Sequence, residues 1–237
     1  HTDKRVALAL LPAIRRLRDA AASGFPPAAR VRVGLAGGIG TPEAVAAAFV
    51  LGADFVMTGS INQATVEAGT SDTVKDMLQA AGPQDCEMAP AGDMFEIGTR
   101  IQVLRRGTLF AARGNRLYEL YRRLPSLDAL EPAERRDIET RFMGRPLESV
   151  WAETAAHYAA VAPAELSEAE ANPKKKMAMV FRWYFIHTNR LALDGDPAHK
   201  SNFQIHCGPA MAACNAWLRG TTMESWRARH VDVLADR

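Results

Sequence analysis

The chain has 237 residues, 48% apolar and 24% charged, an ordinary globular composition with length for one large domain or two small ones. A formal net charge of +2 argues against nucleic-acid binding by bulk electrostatics, and no apolar run reaches the roughly 20 residues of a membrane helix. Cys86, Cys207 and Cys214 lack any C-x-x-C spacing, which argues against a disulfide framework and for a reducing cytoplasm. His206-Cys207 with Cys214 imitates a metal site, but buried thiols beside a surface histidine is the plainer reading. The chain opens on His1-Thr2-Asp3, with no initiator Met and no signal-peptide pattern, which reads as a truncated start.

In chain order, Val6, Leu10, Ile14 and Leu17 recur at helical spacing and predict an amphipathic helix to about Ala22, ended by Gly24-Phe25-Pro26-Pro27. Residues 31–35, Val-Arg-Val-Gly-Leu, predict a short strand. Thr41 is a helix N-cap, Pro42 a first helical residue and Glu43 a complement to the helix dipole, so a second helix runs to Leu51. A second strand follows over 54–58. Short helix–strand alternation of this kind implies a parallel sheet with helices outside it.

Beyond Thr65 the pattern turns helical, with helices expected over 71–80, 132–142, 147–160, 175–193 and 209–218 and helical periodicity through Leu117, Leu120, Tyr121 and Leu124. Residues 94–104 are ambiguous between strand and helix. Pro163 to Pro173, rich in Ala, Glu and Pro, reads as an exposed linker. The expected division is therefore 1–64, the last βα units of a parallel β/α barrel, and 65–237, a mainly helical substrate or cap domain. Two clear strands cannot close an eight-stranded barrel, so earlier strands are expected in a preceding segment.

The most specific chemistry lies in Ala36-Gly37-Gly38-Ile39-Gly40 after one strand and Thr58-Gly59-Ser60 after the next. Glycine lets backbone N–H groups approach a phosphate closely, and the helix starting at Thr41 adds a positive dipole end. In β/α barrels such loops on consecutive units form a phosphate site. Ala36, Gly37, Gly38, Gly59 and Ser60 are thus candidate cofactor-binding residues, although tight turns alone also explain lone glycines. Gln63 and Glu67 are explained equally by capping or solvation. Phe181, Trp183, Tyr184 and Phe185 surround one helix and read as core more than as an acyl channel. The basic clusters, from Arg15-Arg16 to Lys174-Lys175-Lys176, read as solvated faces, one of which could steer an acidic partner.

These glycine loops, with Leu51-Gly52-Ala53-Asp54-Phe55-Val56-Met57, resemble the flavin-phosphate half of nitronate monooxygenase-like FMN barrels. The stretches 63–72 and 94–98, Val103-Leu104-Arg105-Arg106-Gly107-Thr108, 117–121, 181–184 and Cys207-Gly208-Pro209-Ala210-Met211 narrow the resemblance. They are similar to the PfaD family, the trans-acting enoyl reductases of polyketide and polyunsaturated fatty acid synthases. The resemblance implies bound FMN, hydride taken from NADPH, and reduction of an enoyl thioester carried by an acyl carrier protein. It implies no nucleic-acid or membrane partner, and a homodimer is compatible with it. It also places His1 where the wider family has a Gly-Gly-His motif, as a catalytic imidazole able to donate a proton or polarise the thioester carbonyl. A nitronate monooxygenase-like flavin oxidase, or a non-catalytic carrier-docking fragment, are the alternatives.

Overall fold

A computed structural model describes residues 6–237. The chain forms two compact units, one made of the chain up to Glu87, Gln102–Arg106 and Ile205–Arg237, the other of Met88–Ile101 and Gly107–Gln204. A single cut after residue 64 does not describe this division. The helical unit is nested in the sequence of the α/β unit, and the last 33 residues or so return to the latter.

The α/β unit starts with α1 (Ala7–Gly24), followed by β1 (Leu35–Ala36), α2 (Pro42–Val50) and β2 (Val56–Met57). The two strands pair in parallel, Leu35 with Val56 and Ala36 with Met57. The ladder is shorter than the predicted 31–35 and 54–58 because Asp54 takes the Val33 N–H on its carboxylate, at 2.7 Å, where strand bonding would begin. That bond also holds the Asp54 carboxyl below the ordinary carboxylate range. Leu11, Ile39, Ala48 and Ala53 form a small core, with Val33, Leu35 and Val56 packed on it. Leu11 is buried, whereas the predicted stripe of Leu10, Ile14 and Leu17 lies open to solvent, as do Val50 and Met57.

The unit continues with α3 (Asp72–Gln79), capped by the Ser71 hydroxyl, and closes with α9 (Pro209–Leu218) and α10 (Val231–Ala235). Cys214, Leu218 and Met223 pack with Ile61, Trp217 and Leu234 in a second small core. Arg229 is 1% exposed, and its guanidinium makes three hydrogen bonds. It donates to the Met223 and Glu224 carbonyls and to Asn215 Oδ1, at 2.8 to 2.9 Å.

Two further strands, β3 (Cys86–Pro90) and β4 (Arg100–Leu104), form a two-stranded sheet, which resolves the ambiguity over 94–104 and adds a strand the sequence did not predict. Bonds from Arg105 N–H to the Asp85 carbonyl and from Ala91 N–H to the Thr99 carbonyl bracket the pair and make it antiparallel.

The helical unit contains α4 (Phe110–Arg123), α5 (Pro132–Asp137) running into a π-turn over Ile138–Met143, α6 (Leu147–Val161), α7 (Pro163–Ala171) and α8 (Pro173–Asp194). The expected linker is α7, mostly exposed but helical, with Ala169 buried. Pro163 at its first turn starts a helix rather than breaking one. α8 is the centre of the unit: Met177 through Phe181, Trp183, Tyr184 and Phe185 are buried along it. Phe95 meets Tyr118, Tyr121, Phe181 and Phe185 with ring centroids 5.2 to 6.4 Å apart. The aromatic run is therefore core, as read from the sequence. The whole is an α/β protein, mostly helical with few strands, matching a partial β/α barrel joined to a helical domain.

Candidate functional site

The parallel register puts the ends of β1 and β2 side by side, so Gly37-Gly38 and Thr58-Gly59-Ser60 leave the sheet as neighbours. Gly37 and Gly38 have φ of 88° and 77°, the left-handed region that side-chain-bearing residues avoid. A Cβ at Gly38 or at Gly59 would meet nothing within 4 Å, so both loops face open space. Immediately after the first loop, Thr41 caps α2 by accepting the Ala44 N–H, with Pro42 at the first turn and Glu43 behind it, as its sequence predicts. Four of the five candidate cofactor residues thus surround one edge of the sheet, and Ala36 ends β1 beneath them. Bare backbone N–H groups beside a helix N-terminus suit a phosphate.

The loops are braced by a segment that sequence reasoning did not assign to them. The Gly208 N–H donates to Ser60 Oγ at 3.0 Å, leaving that hydroxyl's own hydrogen to donate elsewhere. Gln63 Nε2 donates to the His206 carbonyl at 2.6 Å, which gives Gln63 a role beyond solvation. Gly40 lies flat on α9: a Cβ there would fall 2.3 Å from the Ala210 carbonyl oxygen. The only hint was Cys207-Gly208-Pro209, a glycine and proline at a helix start, with nothing local to say what it touches. Glu67 is not at the loops but accepts from the Val231 N–H and pairs with His230 Nδ1 at 2.6 Å. His1 lies outside the described residues.

Among the remaining histidines, His187 stacks on Trp183 with centroids 4.6 Å apart, and burial lowers its pKa. His157, His199 and His230 are exposed, as expected. No group of three or more metal-type side chains occurs among the described residues. No helix among them is long and apolar enough to cross a membrane.

Two glycine-tipped parallel strands and a nested helical unit define part of an α/β barrel protein with an inserted helical region. Comparison with known proteins narrows this. Residues 124–203, all within the helical unit, match the family of the inserted helical domain of acyl-carrier-protein S-malonyltransferase. The structure superposes on the enoyl reductase domain of MlnA, from the macrolactin cluster of Bacillus amyloliquefaciens, with a TM-score of 0.92 and 42% identity, covering 99% of this chain and 53% of that one. The chain is 55% identical over its full length to the polyketide biosynthesis protein ThaF of Burkholderia thailandensis, of which it spans 20%. It is 50% identical over its full length to PksE of Bacillus subtilis, of which it spans 30%. Over 229 residues it is 43% identical to a polyunsaturated fatty acid synthase component of a Thraustochytrium species, of which it spans 11%. The chain thus covers well under half of these curated relatives, and its resemblance to PfaD-like enoyl reductases holds.

Proposed function

We propose that this chain carries the flavin-phosphate loops and helical region of an enoyl reductase that works in polyketide or polyunsaturated fatty acid synthesis. The observation that carries the reading is the pair of open glycine loops on adjacent parallel strands. It is supported by the similarity of nearly the whole chain to about half of the MlnA enoyl reductase domain. The residues fit FMN: the backbone N–H groups of Gly37, Gly38 and Gly59 and the Ser60 hydroxyl would hold its phosphate, with Ala36 at the strand end below. When bound, the flavin supplies hydride transfer, with NADPH as the source of reducing equivalents. The chain's own part is to orient, exclude water and deliver a proton. In this proposal His1 holds the proton that reaches the α-carbon of the enoyl thioester. The solvent-exposed apolar stripe of Leu10, Ile14 and Leu17 is surface that further barrel units would cover.

The partner in this reading is an acyl carrier protein presenting the thioester. Two observations favour it: the helical unit matches the inserted helical domain of acyl-carrier-protein S-malonyltransferase, and the relatives are named for polyketide biosynthesis and polyunsaturated fatty acid synthase. A reducing cytoplasm is the setting that suits the three free thiols.

The test is direct. The full-length protein is purified and inspected for a flavin spectrum, and NADPH consumption is followed with an enoyl group on a carrier protein. Bound FMN and carrier-dependent turnover are expected. Absence of flavin would sink the reading, and oxygen-dependent nitronate turnover without enoyl reduction would replace it with the flavin-oxidase alternative. Gly59→Ala places a methyl in the open space at the loop, and is expected to weaken FMN binding about tenfold, about 1.4 kcal/mol. His1→Ala is expected to slow turnover with flavin content unchanged.

A further inference from the structure

Two of the three cysteines meet across the fold. Cys86 opens β3 and Cys207 follows the isolated bridge between Val103 and His206, yet their Sγ atoms lie 3.7 Å apart and share a hydrogen bond. Both are anchored to the same stretch of chain. Asp85, next to Cys86, accepts the Arg105 N–H at 2.7 Å, and the Cys207 N–H donates to the Gln102 carbonyl at 3.1 Å. Both sulfurs are free thiols.

The two thiols are unequal. Cys86 is partly exposed, whereas Cys207 is 2% exposed. The contact with Cys207 lowers the pKa of Cys86, against the opposing effects of burial and of Asp85. Cys207 moves the other way, because its own charge would be buried beside Cys86, and its thiol donates to the Gly208 carbonyl at 3.6 Å. One partly exposed sulfur 3.7 Å from one buried sulfur is the arrangement of an attacking and a resolving cysteine. Cys214 is a built-in control: buried with Leu218 and Met223, its thiol is pushed up by burial.

We propose that Cys86 and Cys207 form a reversible oxidation site, in which a peroxide oxidises Cys86 and Cys207 resolves the product as an intramolecular disulfide. The Cys86 thiolate attacks one peroxide oxygen and the O–O bond breaks. Hydroxide leaves and is protonated to water, and Cys86 becomes a sulfenic acid. The Cys207 sulfur then attacks the Cys86 sulfur, the S–O bond breaks, and the hydroxyl leaves as water with the Cys207 proton. Two thiols have lost two electrons and hydrogen peroxide has become two waters. The sulfurs must close from 3.7 Å to a bond of about 2.05 Å. An external dithiol reverses the step by exchange. The bond would sit one residue before Gly208, whose N–H holds Ser60.

The reduced full-length protein is treated with hydrogen peroxide, quenched by alkylation and digested. A cross-linked peptide pair joining Cys86 to Cys207, lighter by two hydrogens, is expected, with Cys214 still alkylated and the pair restored to thiols by a dithiol. Cys86 is expected to react at least about tenfold faster than Cys214. In Cys207→Ser the oxidation stops at a Cys86 sulfenic acid that dimedone traps, and in Cys86→Ser Cys207 resists the same dose. Circular dichroism checks that both variants fold, and the wild-type digest decides the matter without them. Sulfinic acid at Cys86 with Cys207 still alkylated, or a cross-link through Cys214, would overturn the proposal.

Discussion

Gly40 has no room for a methyl group. A Cβ there would lie 2.3 Å from the Ala210 carbonyl oxygen and 3.0 Å from its Cα, both backbone and unable to swing away. Gly40→Ala is therefore expected to destabilise the protein by about 3 kcal/mol, measured by urea unfolding. At Gly208 the nearest atom is the Gln102 side-chain oxygen at 2.6 Å, which can rotate, so Gly208→Ala should cost under about 1 kcal/mol. The contrast matters because the sequence shows both as glycines near a helix start. Their consequences depend on partners distant along the chain. Arg229 makes a related point, since nothing local marks it as buried. Its guanidinium satisfies two carbonyls and an amide oxygen, so Arg229→Met should cost about 3 kcal/mol or more by leaving them unpaired. Arg229→Lys should recover little, because an ammonium cannot span the same three acceptors.

At the scale of elements, local signals were legible where the cause is local. Thr41-Pro42-Glu43 fixes the start of α2, and Ser71 the start of α3, through side chains that accept backbone N–H groups three residues on. Asn172 does the same for α8, accepting from Lys174 and Lys175 N–H at 3.0 and 3.2 Å. Asn172→Ala is expected to lower stability by about 1 kcal/mol, and Asn172→Asp to retain it, as read by thermal unfolding. The strands were less legible. β1 and β2 are two residues each, because Asp54 competes for the Val33 N–H, a choice visible only once the strands are side by side. β3 escaped notice since Cys-Glu-Met-Ala-Pro has no β-branched residue and its register comes from β4. α7 looked like a linker because its alanines and glutamates carry no strong apolar face, yet helix propensity and the buried Ala169 suffice. Of the candidate site, the glycines and the α2 start were readable, whereas the bracing by Gly208 and His206 was not.

For the molecule as a whole, pH should bound stability from both sides. Burial raises the pKa of Tyr184 from 10.0 to about 12. The folded form thus keeps its proton after an unfolded tyrosine has lost it, and stability falls as pH rises from about 10 to 12. Tyr184→Phe should flatten that alkaline limb, with tyrosinate absorbance and melting temperature as the readouts. On the acid side the Glu153 carboxyl is lowered from 4.5 chiefly by the Trp183 indole N–H, and Asp54 from 3.8 chiefly by the Val33 N–H. Contributions of this sign are present above the unfolded values and vanish as pH drops through the folded ones. The melting temperature should therefore hold steady down to about pH 5 and decline below about pH 4.

The nested order of the units has a meaning in time. Ser60 and Gly208 are separated by 148 positions, and a ribosome delivers the glycine loops long before the segment that braces them. In between it makes the helical unit, whose stretch from Gly107 to Gln204 is unbroken in sequence and can condense first. Until Ile205 and the residues after it emerge, Ser60, Gln63 and Gly40 have no partners to close upon, and closing that long loop is the slow, entropically costly event. The glycine edge therefore closes only after the helical unit has been made.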